Sequence, residues 1–286
     1  MQKKISLLMV LFVVATVSCI AQSNLDSILY DFNHKPERIL VASHRATHIV
    51  YPENSIAAMK ESIRIGVDII ETDIRETKDG VLVIMHDKNI DRTTNGKGNV
   101  ADLTYKELQQ YYLLQDGKPT TEKIPTLKEV LALVKGKIML DIDYKAEGER
   151  AARSTTKLLR KKKIENQCLF FLYDYKDAQA LYSMNRHLQF LVRTYNQADV
   201  DSVLRLQVPV PAIHADDTFY TDSVMQVIRL KNKRVWMNAL GKYDTMEKKE
   251  KDAGFDMILK LKHTNIIQTD LPEELLAYLK KRGLHR

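Results

Sequence analysis

The chain has little cysteine: Cys19 and Cys168 are the two residues of this type among 286. Cys19 falls in an apolar leader, so Cys168 has no partner for an internal disulfide, and a buried thiol is its expected state. The same count excludes a metal centre built on cysteine. Internal repeats, low-complexity tracts and inter-domain linkers are also missing, while 44% hydrophobic and 28% charged residues argue against wholesale disorder. This length and composition predict one large α/β domain.

The sequence also lacks an apolar run long enough to cross a membrane. Residues 5–15 are apolar, but a spanning helix needs about 20 such residues. Two lysines precede this run and small residues follow it, which predicts a secretory signal peptide over residues 1–21. Cleavage after Ala21 would release a soluble protein, whereas cleavage before Cys19, behind an imperfect lipobox, would leave a lipidated cysteine. Both outcomes stay open, and we expect an exported protein, periplasmic or held at the outer membrane by a lipid anchor.

Positive charge is in excess but is not concentrated. The formal net charge is +7, yet residues 161–163 form the one tight lysine cluster. That cluster ends a helical pattern, where cations interact favourably with the helix dipole. Because no DNA- or RNA-binding motif accompanies the charge, we expect no nucleic-acid partner.

Short β-type runs alternate with amphipathic helical patterns along most of the chain. The alternation is typical of repeated βα units, and eight strands of this kind match a closed (β/α)₈ TIM barrel. The predicted barrel strands are 38–44, 67–73, 138–143, 168–173, 188–194, 211–215, 234–238 and 266–270. The predicted helices are 55–65, 127–134, 148–162, 177–185, 198–206, 222–230 and 245–253.

One connection departs from this alternation. Residues 78–80 form a turn signal that is too short for a crossover helix, which predicts an antiparallel hairpin above the barrel mouth. A turn there sets Asp73 roughly opposite His86. Residues 87–125 then form a long insertion within a single barrel domain over residues 22–286. Such an insertion either shapes substrate access or is a plain surface excursion.

Three carboxylates follow apolar strands and indicate a cation site. Glu71 and Asp73 are two residues apart, so their side chains point to one face of a strand, and Asp143 closes another strand. Neighbouring carboxylates repel each other unless a proton or a cation lies between them, and oxygen ligands suit Mg²⁺ or Ca²⁺. The alternative is ordinary solvated charge. Lys145 extends the face of Asp143 and either holds a phosphate oxygen or serves as a counter-ion.

Two histidines close strands that point to the same mouth. His44 and His86 are each followed by a charged residue, and such a pair can act as acid and base near neutral pH. A single histidine in this position is more commonly a hydrogen-bonded neighbour. Arg45 is suited to a bidentate grip on phosphate. Together with the carboxylates, these residues indicate metal-assisted chemistry on a phosphate.

A series of short segments, in this order, resembles the glycerophosphodiester phosphodiesterases over nearly the whole mature chain. The segments are residues 44–45, 52–55, 71–73, 77–80, 86–87, 92–98, 124–127, 236–238 and 269–272. The resemblance implies a TIM barrel that hydrolyses a small-molecule glycerophosphodiester to sn-glycerol 3-phosphate and an alcohol, with Ca²⁺ or Mg²⁺. By position it implies acid/base catalysis for His44 and His86, metal binding for Glu71, Asp73 and Asp143, and substrate or phosphate binding for Arg45, Lys145 and Trp236.

The sequence departs from the family pattern at Asp143, at Ala46 and in residues 260–266, which form an extra segment before Thr269. The third metal ligand is usually Glu in an E-x-K pattern, and here Asp143 is one methylene shorter. The family usually has glycine directly after His-Arg, and this chain has Ala46 there. Two other functions share the same plan: a related barrel phospholipase or lyase that releases a cyclic phosphate, and an exported phosphate-ester binding protein with weak or no turnover. Both histidines argue against the second, because binding alone needs no proton transfer.

Overall fold

Eight parallel strands close into a barrel in the structure, a computed structural model that describes residues 24–146 and 148–286. The leader predicted over residues 1–21 lies outside this part of the chain. The strands in chain order are β1 Leu40–Ser43, β2 Ile69–Glu76, β3 Leu82–Ile84, β4 Leu114–Gln115, β5 Lys118–Pro119, β6 Met139–Tyr144, β7 Cys168–Leu172, β8 Gln189–Arg193, β9 Ala212–His214, β10 Arg234–Asn238 and β11 Ile266–Thr269.

The barrel runs in the order β1-β2-β6-β7-β8-β9-β10-β11 and closes where β11 pairs with β1. Each of the eight predicted barrel strands overlaps one of these, so the predicted TIM barrel is confirmed. The strands are buried on both sides, which is why they read as continuous apolar runs in the sequence. Cys168 is a free, buried thiol at the start of β7, as expected.

Helices connect the barrel strands. The first covers residues 24–34 and is α1. The others are α2 Ile56–Ile65, α3 Tyr105–Leu108, α4 Leu127–Val134, α5 Glu149–Lys162, α6 Ala178–Met184, α7 Gln197–Arg205, α8 Asp222–Leu230, α9 Lys242–Lys249, α10 Ala253–Ile258 and α11 Pro272–Lys281. None of the helices in the described ranges is both long and apolar enough to cross a membrane.

The helix predicted over residues 245–253 is wrong in its bounds, because two helices, α9 and α10, occupy this region. Asp252 between them has a positive φ of 69°, which breaks the helical path. Gly254 explains how closely they pack: an added Cβ there would lie 2.0 Å from the carbonyl oxygen of Tyr243. Only glycine permits that approach.

The hairpin predicted after β2 is present, with a register one residue from the predicted one. β2 pairs antiparallel with β3 so that Ile74 faces Ile84, and the Met85 N–H donates to the Asp73 carbonyl at 3.0 Å. Met85 therefore lies opposite Asp73, where His86 was expected. The cause is the turn, in which the Thr77 N–H bonds to the Val81 carbonyl.

Residues 87–125 pack on an apolar cluster that is separate from the main barrel core and includes two side chains of the preceding hairpin. We call it the insertion cluster, and its buried members are Val83, Met85, Ile90, Val100, Leu108, Leu113 and Ile124. The segment contains α3, whose capping box pairs Thr104 with Glu107, and the short hairpin of β4 and β5. The insertion is thus an ordered extension of the barrel mouth.

The opposite end of the barrel is fixed by a buried arginine. Arg234, 3% exposed at the start of β10, donates hydrogen bonds to the carbonyl oxygens of Phe32, Lys35 and Arg38. These bonds tie the end of α1 and the following loop to the barrel floor. The hydrogen bonds of Arg234 thus stabilise the fold at the amino ends of the strands. The carboxyl ends carry the polar residues described next.

Candidate active site

Three carboxylates meet at the carboxyl ends of β2 and β6. Pairing of these strands places Asp73 beside Asp143, and Glu71 lies one pleat deeper on the same face. One oxygen from each of the three lies within 4.8 Å of the others, so they form a group that could hold a metal ion. All three side chains are buried, and the oxygen-only donor set suits a hard divalent cation.

The buried carboxylates have too little positive charge around them to offset their mutual repulsion. Burial, followed by repulsion from Asp73 and Asp143, raises the pKa of Glu71 well above its ordinary value. Burial and the same two neighbours also raise the pKa of Asp141, which lies beside Glu71 on β6. Burial raises the pKa of Asp143 as well, although Lys145 opposes that shift. A bound divalent cation would offset the repulsion that contributes to these raised pKa values.

Lys145 and Tyr173 occupy one oxygen of Asp143 and leave the other available. The Lys145 ammonium lies 2.7 Å from Asp143 Oδ2 and 3.2 Å from Asp73 Oδ1. The Tyr173 hydroxyl donates to the same Asp143 Oδ2 at 2.8 Å. Asp143 Oδ1 is buried and has no hydrogen-bond partner among the described residues. A buried oxygen without a partner is costly, so the shorter Asp143 fits the role of third ligand through Oδ1.

Each predicted acid/base histidine is anchored through its Nδ1 atom by a carboxylate. His86 Nδ1 lies 2.6 Å from Asp87 Oδ1, and His44 Nδ1 lies 2.7 Å from Asp270 Oδ1. This leaves Nε2 of each ring as the nitrogen available for proton transfer. Arg75 fixes the His86 backbone, since its guanidinium donates to the His86 carbonyl at 2.7 and 2.9 Å.

Arg45 lies beside the carboxylates in a tight turn after β1. Its N–H donates to Glu71 Oε2 at 2.8 Å, and its Nε lies 3.8 Å from Asp73 Oδ2. Arg45 and Ala46 have positive φ values of 50° and 65°. The left-handed backbone explains why glycine is the usual residue at the second position, because a Cβ is unfavourable there.

Arg92 of the insertion joins the two sides of the site. Its guanidinium donates to both oxygens of Glu53 at 2.7 and 2.8 Å, and its Nε donates to Asp87 Oδ2 at 2.7 Å. Glu53 also accepts a bond from Arg45 Nη1 at 3.0 Å. A continuous chain of charged hydrogen bonds therefore runs from Arg45 to His86, and we call it the Arg92 bridge.

Most of the predicted site residues line one cavity of about 150 Å³. They are His44, Glu71, Asp73, His86, Asp143 and Lys145. Trp236 is fully buried outside this lining, and its indole N–H donates to Asn238 Oδ1 and Gln268 Oε1, two side chains that do line the cavity. Trp236 therefore contacts two side chains that line the cavity, and its role in substrate binding stays a prediction.

Sequence reasoning missed several residues of this cavity. Tyr173 follows β7, and Arg193 and His214 are the last residues of β8 and β9. The signal that could have found them is the one used for the carboxylates, a polar side chain where an apolar strand ends. Asp87, Arg92 and Asp270 lie in segments that resemble the family, but the contacts of Arg92 with Glu53 and of Asp270 with His44 depend on tertiary packing.

A family model described as the glycerophosphoryl diester phosphodiesterase family matches residues 44–260. A glycerophosphodiester phosphodiesterase from Caldanaerobacter subterraneus subsp. tengcongensis is 43% identical over 115 residues, or 38% of this chain. The chain spans about half the length of such sequence relatives, and 46% of this one.

Solved structures share the fold. The crystal structure of a glycerophosphoryl diester phosphodiesterase from Parabacteroides distasonis matches with a TM-score of 0.78 and 25% identity, covering 90% of this chain and 92% of that one. A phosphodiesterase from Oleispira antarctica, solved with the product sn-glycerol-3-phosphate, matches with a TM-score of 0.71 and 18% identity, covering 85% and 97%.

Proposed function

Because the chain belongs to the glycerophosphoryl diester phosphodiesterase family, we propose that it hydrolyses glycerophosphodiesters to sn-glycerol 3-phosphate and an alcohol. One observation carries the proposal: three carboxylates that can hold a cation and two carboxylate-anchored histidines line the same cavity. A site that only bound phosphate would not need two histidines with a free Nε2.

Glu71, Asp73 and Asp143 would hold the cation, which we propose to be Ca²⁺ or Mg²⁺. When bound, such an ion supplies positive charge next to a phosphoryl oxygen. Arg45 lies at the edge of this group and Lys145 between two of its members, so both add positive charge where the phosphate would bind. These charges are fixed before the substrate arrives and stabilise the negative charge that builds in the transition state.

The two histidines divide the proton transfers between them. One takes a proton from the nucleophile, which is water or the glycerol 2-hydroxyl, and the other gives a proton to the departing alkoxide oxygen. Asp87 and Asp270 hold the rings by Nδ1, orient them and stabilise the protonated form. Asp87 and Asp270 thereby leave Nε2 of each ring for proton transfer.

Product analysis by phosphorus NMR tests the proposal. The mature protein is incubated with sn-glycero-3-phosphocholine and added Ca²⁺ or Mg²⁺, and a parallel sample receives EDTA. We expect a glycerol 3-phosphate signal that EDTA abolishes and either ion restores. A lasting cyclic phosphate would favour the lyase, and full turnover after verified metal removal would refute the role of the carboxylates.

We also propose that the protein is exported, on the evidence of the apolar leader over residues 5–15. Cell fractionation followed by mass spectrometry of the mature N-terminus tests this. A chain starting at residue 22 would indicate a soluble periplasmic protein, and a diacylglyceryl group on Cys19 would indicate a lipid anchor. A cytoplasmic chain that keeps residues 1–21 would refute export.

A further inference from the structure

A third histidine lies beside the turn that carries His44 and Arg45. The Nδ1 atom of His48 lies 2.9 Å from the carbonyl oxygen of His44 and 3.1 Å from that of Ala46. Carbonyl oxygens only accept hydrogen bonds, so Nδ1 of His48 carries a proton and donates to both of them. We call this pair of bonds the His48 clamp.

The backbone that the clamp spans has an unfavourable conformation for the residues that form it. Arg45 and Ala46 have φ values of 50° and 65°, in the left-handed region that a Cβ disfavours. Glycine would adopt this conformation without that cost. Because neither residue is glycine, contacts from elsewhere in the molecule have to hold the turn.

The carbonyl groups of residues 44–46 are each hydrogen-bonded, but by different kinds of donor. The Arg45 carbonyl accepts from the backbone N–H of Asn54 at 2.9 Å. The carbonyls on either side of it accept from the His48 ring. The clamp is therefore a part of the turn that one side-chain substitution removes while the backbone bond to Asn54 is still possible.

The turn positions groups that the proposed reaction needs. The Arg45 N–H donates to Oε2 of Glu71, one of the three carboxylates that could hold a cation. The first residue of the turn is His44, whose ring reaches Asp270 Oδ1 at 2.7 Å. A change of φ at Arg45 or Ala46 would move both groups, and catalysis is sensitive to displacements of about 1 Å.

His48 acts outside the proton transfers. It lines a neighbouring cavity of about 540 Å³, whereas His44 and His86 line the catalytic cavity. Its Nε2 atom lies 3.7 Å from Asp270 Oδ1, which is too far for a hydrogen bond. The proton on Nδ1 is already bonded to the turn. Its contacts therefore suit a group that holds other residues in place.

We propose that His48 is a positioning residue whose ring holds residues 44–46 in a left-handed turn that Ala46 disfavours. The inference rests on the proposed phosphodiesterase function and adds a residue that acts through His44 and Arg45. It also couples two positions of the chain. A residue with a Cβ at position 46 needs the donor at position 48, whereas glycine at position 46 would not.

A double-mutant cycle between positions 46 and 48 tests the clamp. His48→Ala should lower kcat on sn-glycero-3-phosphocholine by ~10-fold and weaken the apparent Ca²⁺ affinity by ~3-fold or more, because His44 and Arg45 lose their fixed positions. Ala46→Gly alone should stay within about twofold of wild type, and the double variant within about threefold of Ala46→Gly. A double variant that shows the full loss of His48→Ala would overturn the clamp.

Two amide side chains test which ring nitrogen matters. Asparagine can place its amide nitrogen where Nδ1 lies, whereas glutamine places it near Nε2. His48→Asn should therefore keep kcat within about threefold of wild type, and His48→Gln should resemble His48→Ala. Equal kcat values in these two variants would overturn the role of Nδ1. If His48→Ala fails to fold by circular dichroism, His48→Gln replaces it in the cycle.

His34→Ala is the matched control. The Nδ1 atom of His34 lies 3.2 Å from the carbonyl oxygen of Tyr30, also four residues earlier, at the exposed end of α1. Its removal should leave kcat and Ca²⁺ affinity unchanged. A His48→Ala variant that loses Tm but keeps the kcat and Ca²⁺ affinity of wild type would overturn the positioning role.

Two measurements without turnover separate the clamp from the proposed reaction. Thermal unfolding of the four proteins of the cycle should show that Ala46→Gly raises Tm more in His48→Ala than in wild type. Calorimetric titration with Ca²⁺ should show weaker binding in His48→Ala and recovery in the double variant. If the wild-type protein cleaves no diester, the proposed function fails and these measurements decide the clamp alone. Additive changes in Tm would then overturn it.

Discussion

Removing the Arg92 side chain should reduce turnover far more than it reduces stability. Arg92→Ala breaks the Arg92 bridge, which holds Glu53 against Arg45 and Asp87 against His86. The Arg92 side chain is 48% exposed, so each of its two ion pairs contributes only about 0.2–1 kcal/mol. A total near 1 kcal/mol corresponds to a Tm decrease of about 2–4 °C in a protein of this size.

The effect on catalysis is larger because the bridge positions reacting groups. Acid or base catalysis by a positioned side chain contributes about 10²–10⁴-fold, and a loosened His86 should forfeit ~10-fold or more of this in kcat. The hydrogen bond from Arg92 is also the main cause of the lowered pKa of Asp87. Without it that pKa rises toward its ordinary value, and Asp87 holds His86 less firmly.

Steady-state kinetics on glycerophosphocholine, with thermal unfolding in parallel, measures both effects. Arg64→Ala is a matched control, because Arg64 makes a similar bidentate ion pair with Glu61 on the exposed face of α2. Arg64→Ala should lose part of the stability that Arg92→Ala loses, because it removes one ion pair and not two, and should leave kcat unchanged. Arg92→Lys keeps the charge but not the planar guanidinium, and its kcat should lie between those of the wild type and Arg92→Ala. A kcat for Arg92→Ala within twofold of wild type would refute the positioning role.

Further predictions concern the catalytic and metal-binding groups. His44→Ala and His86→Ala should each lower kcat by ~10²-fold or more, and near-normal rates in a folded variant would assign that histidine a structural role. Asp143→Glu should keep activity and tighten apparent metal affinity, whereas Asp143→Asn should weaken both, as titration of activity against free Ca²⁺ and Mg²⁺ would show. Because the pKa of Glu71 and of Asp141 is raised in the folded protein, the metal-free fold binds more protons than the unfolded chain and loses stability as pH rises. Thermal unfolding in EDTA should therefore show a Tm that falls from about pH 5 to about pH 8, less steeply in Glu71→Gln; a flat or rising Tm would contradict the shifts.

The strands and the carboxylates were predictable because both depend on local pattern. Apolar runs such as 138–143 reveal a buried strand, and polar residues at its end must reach the barrel mouth whatever the details of packing. Asp143 could be placed beside Asp73 in this way, since parallel strands end together. The predicted hairpin register differs from the observed one by one residue, because the register depends on the geometry of the turn at Thr77.

The rest of the site depends on contacts between distant segments. Arg92 meets Glu53 only once the insertion folds over the mouth, and no spacing along the chain encodes their distance. Tyr173, Arg193 and His214 each stand alone at a strand end, where a polar residue has many ordinary explanations. Their significance follows from the shared cavity, which exists only in three dimensions.

The insertion cluster has a consequence for how the protein responds to heat. It is small and separate from the barrel core, so the segment over residues 87–125 can open in a local fluctuation that leaves the barrel folded. Arg92 belongs to that segment, and an open insertion carries it away from Asp87 and Glu53. Warming should thus inactivate the protein reversibly at temperatures where the barrel is still native. The upper temperature limit for turnover is then set by a cluster of seven apolar side chains, five of them on this surface segment, and the barrel melts at a higher temperature.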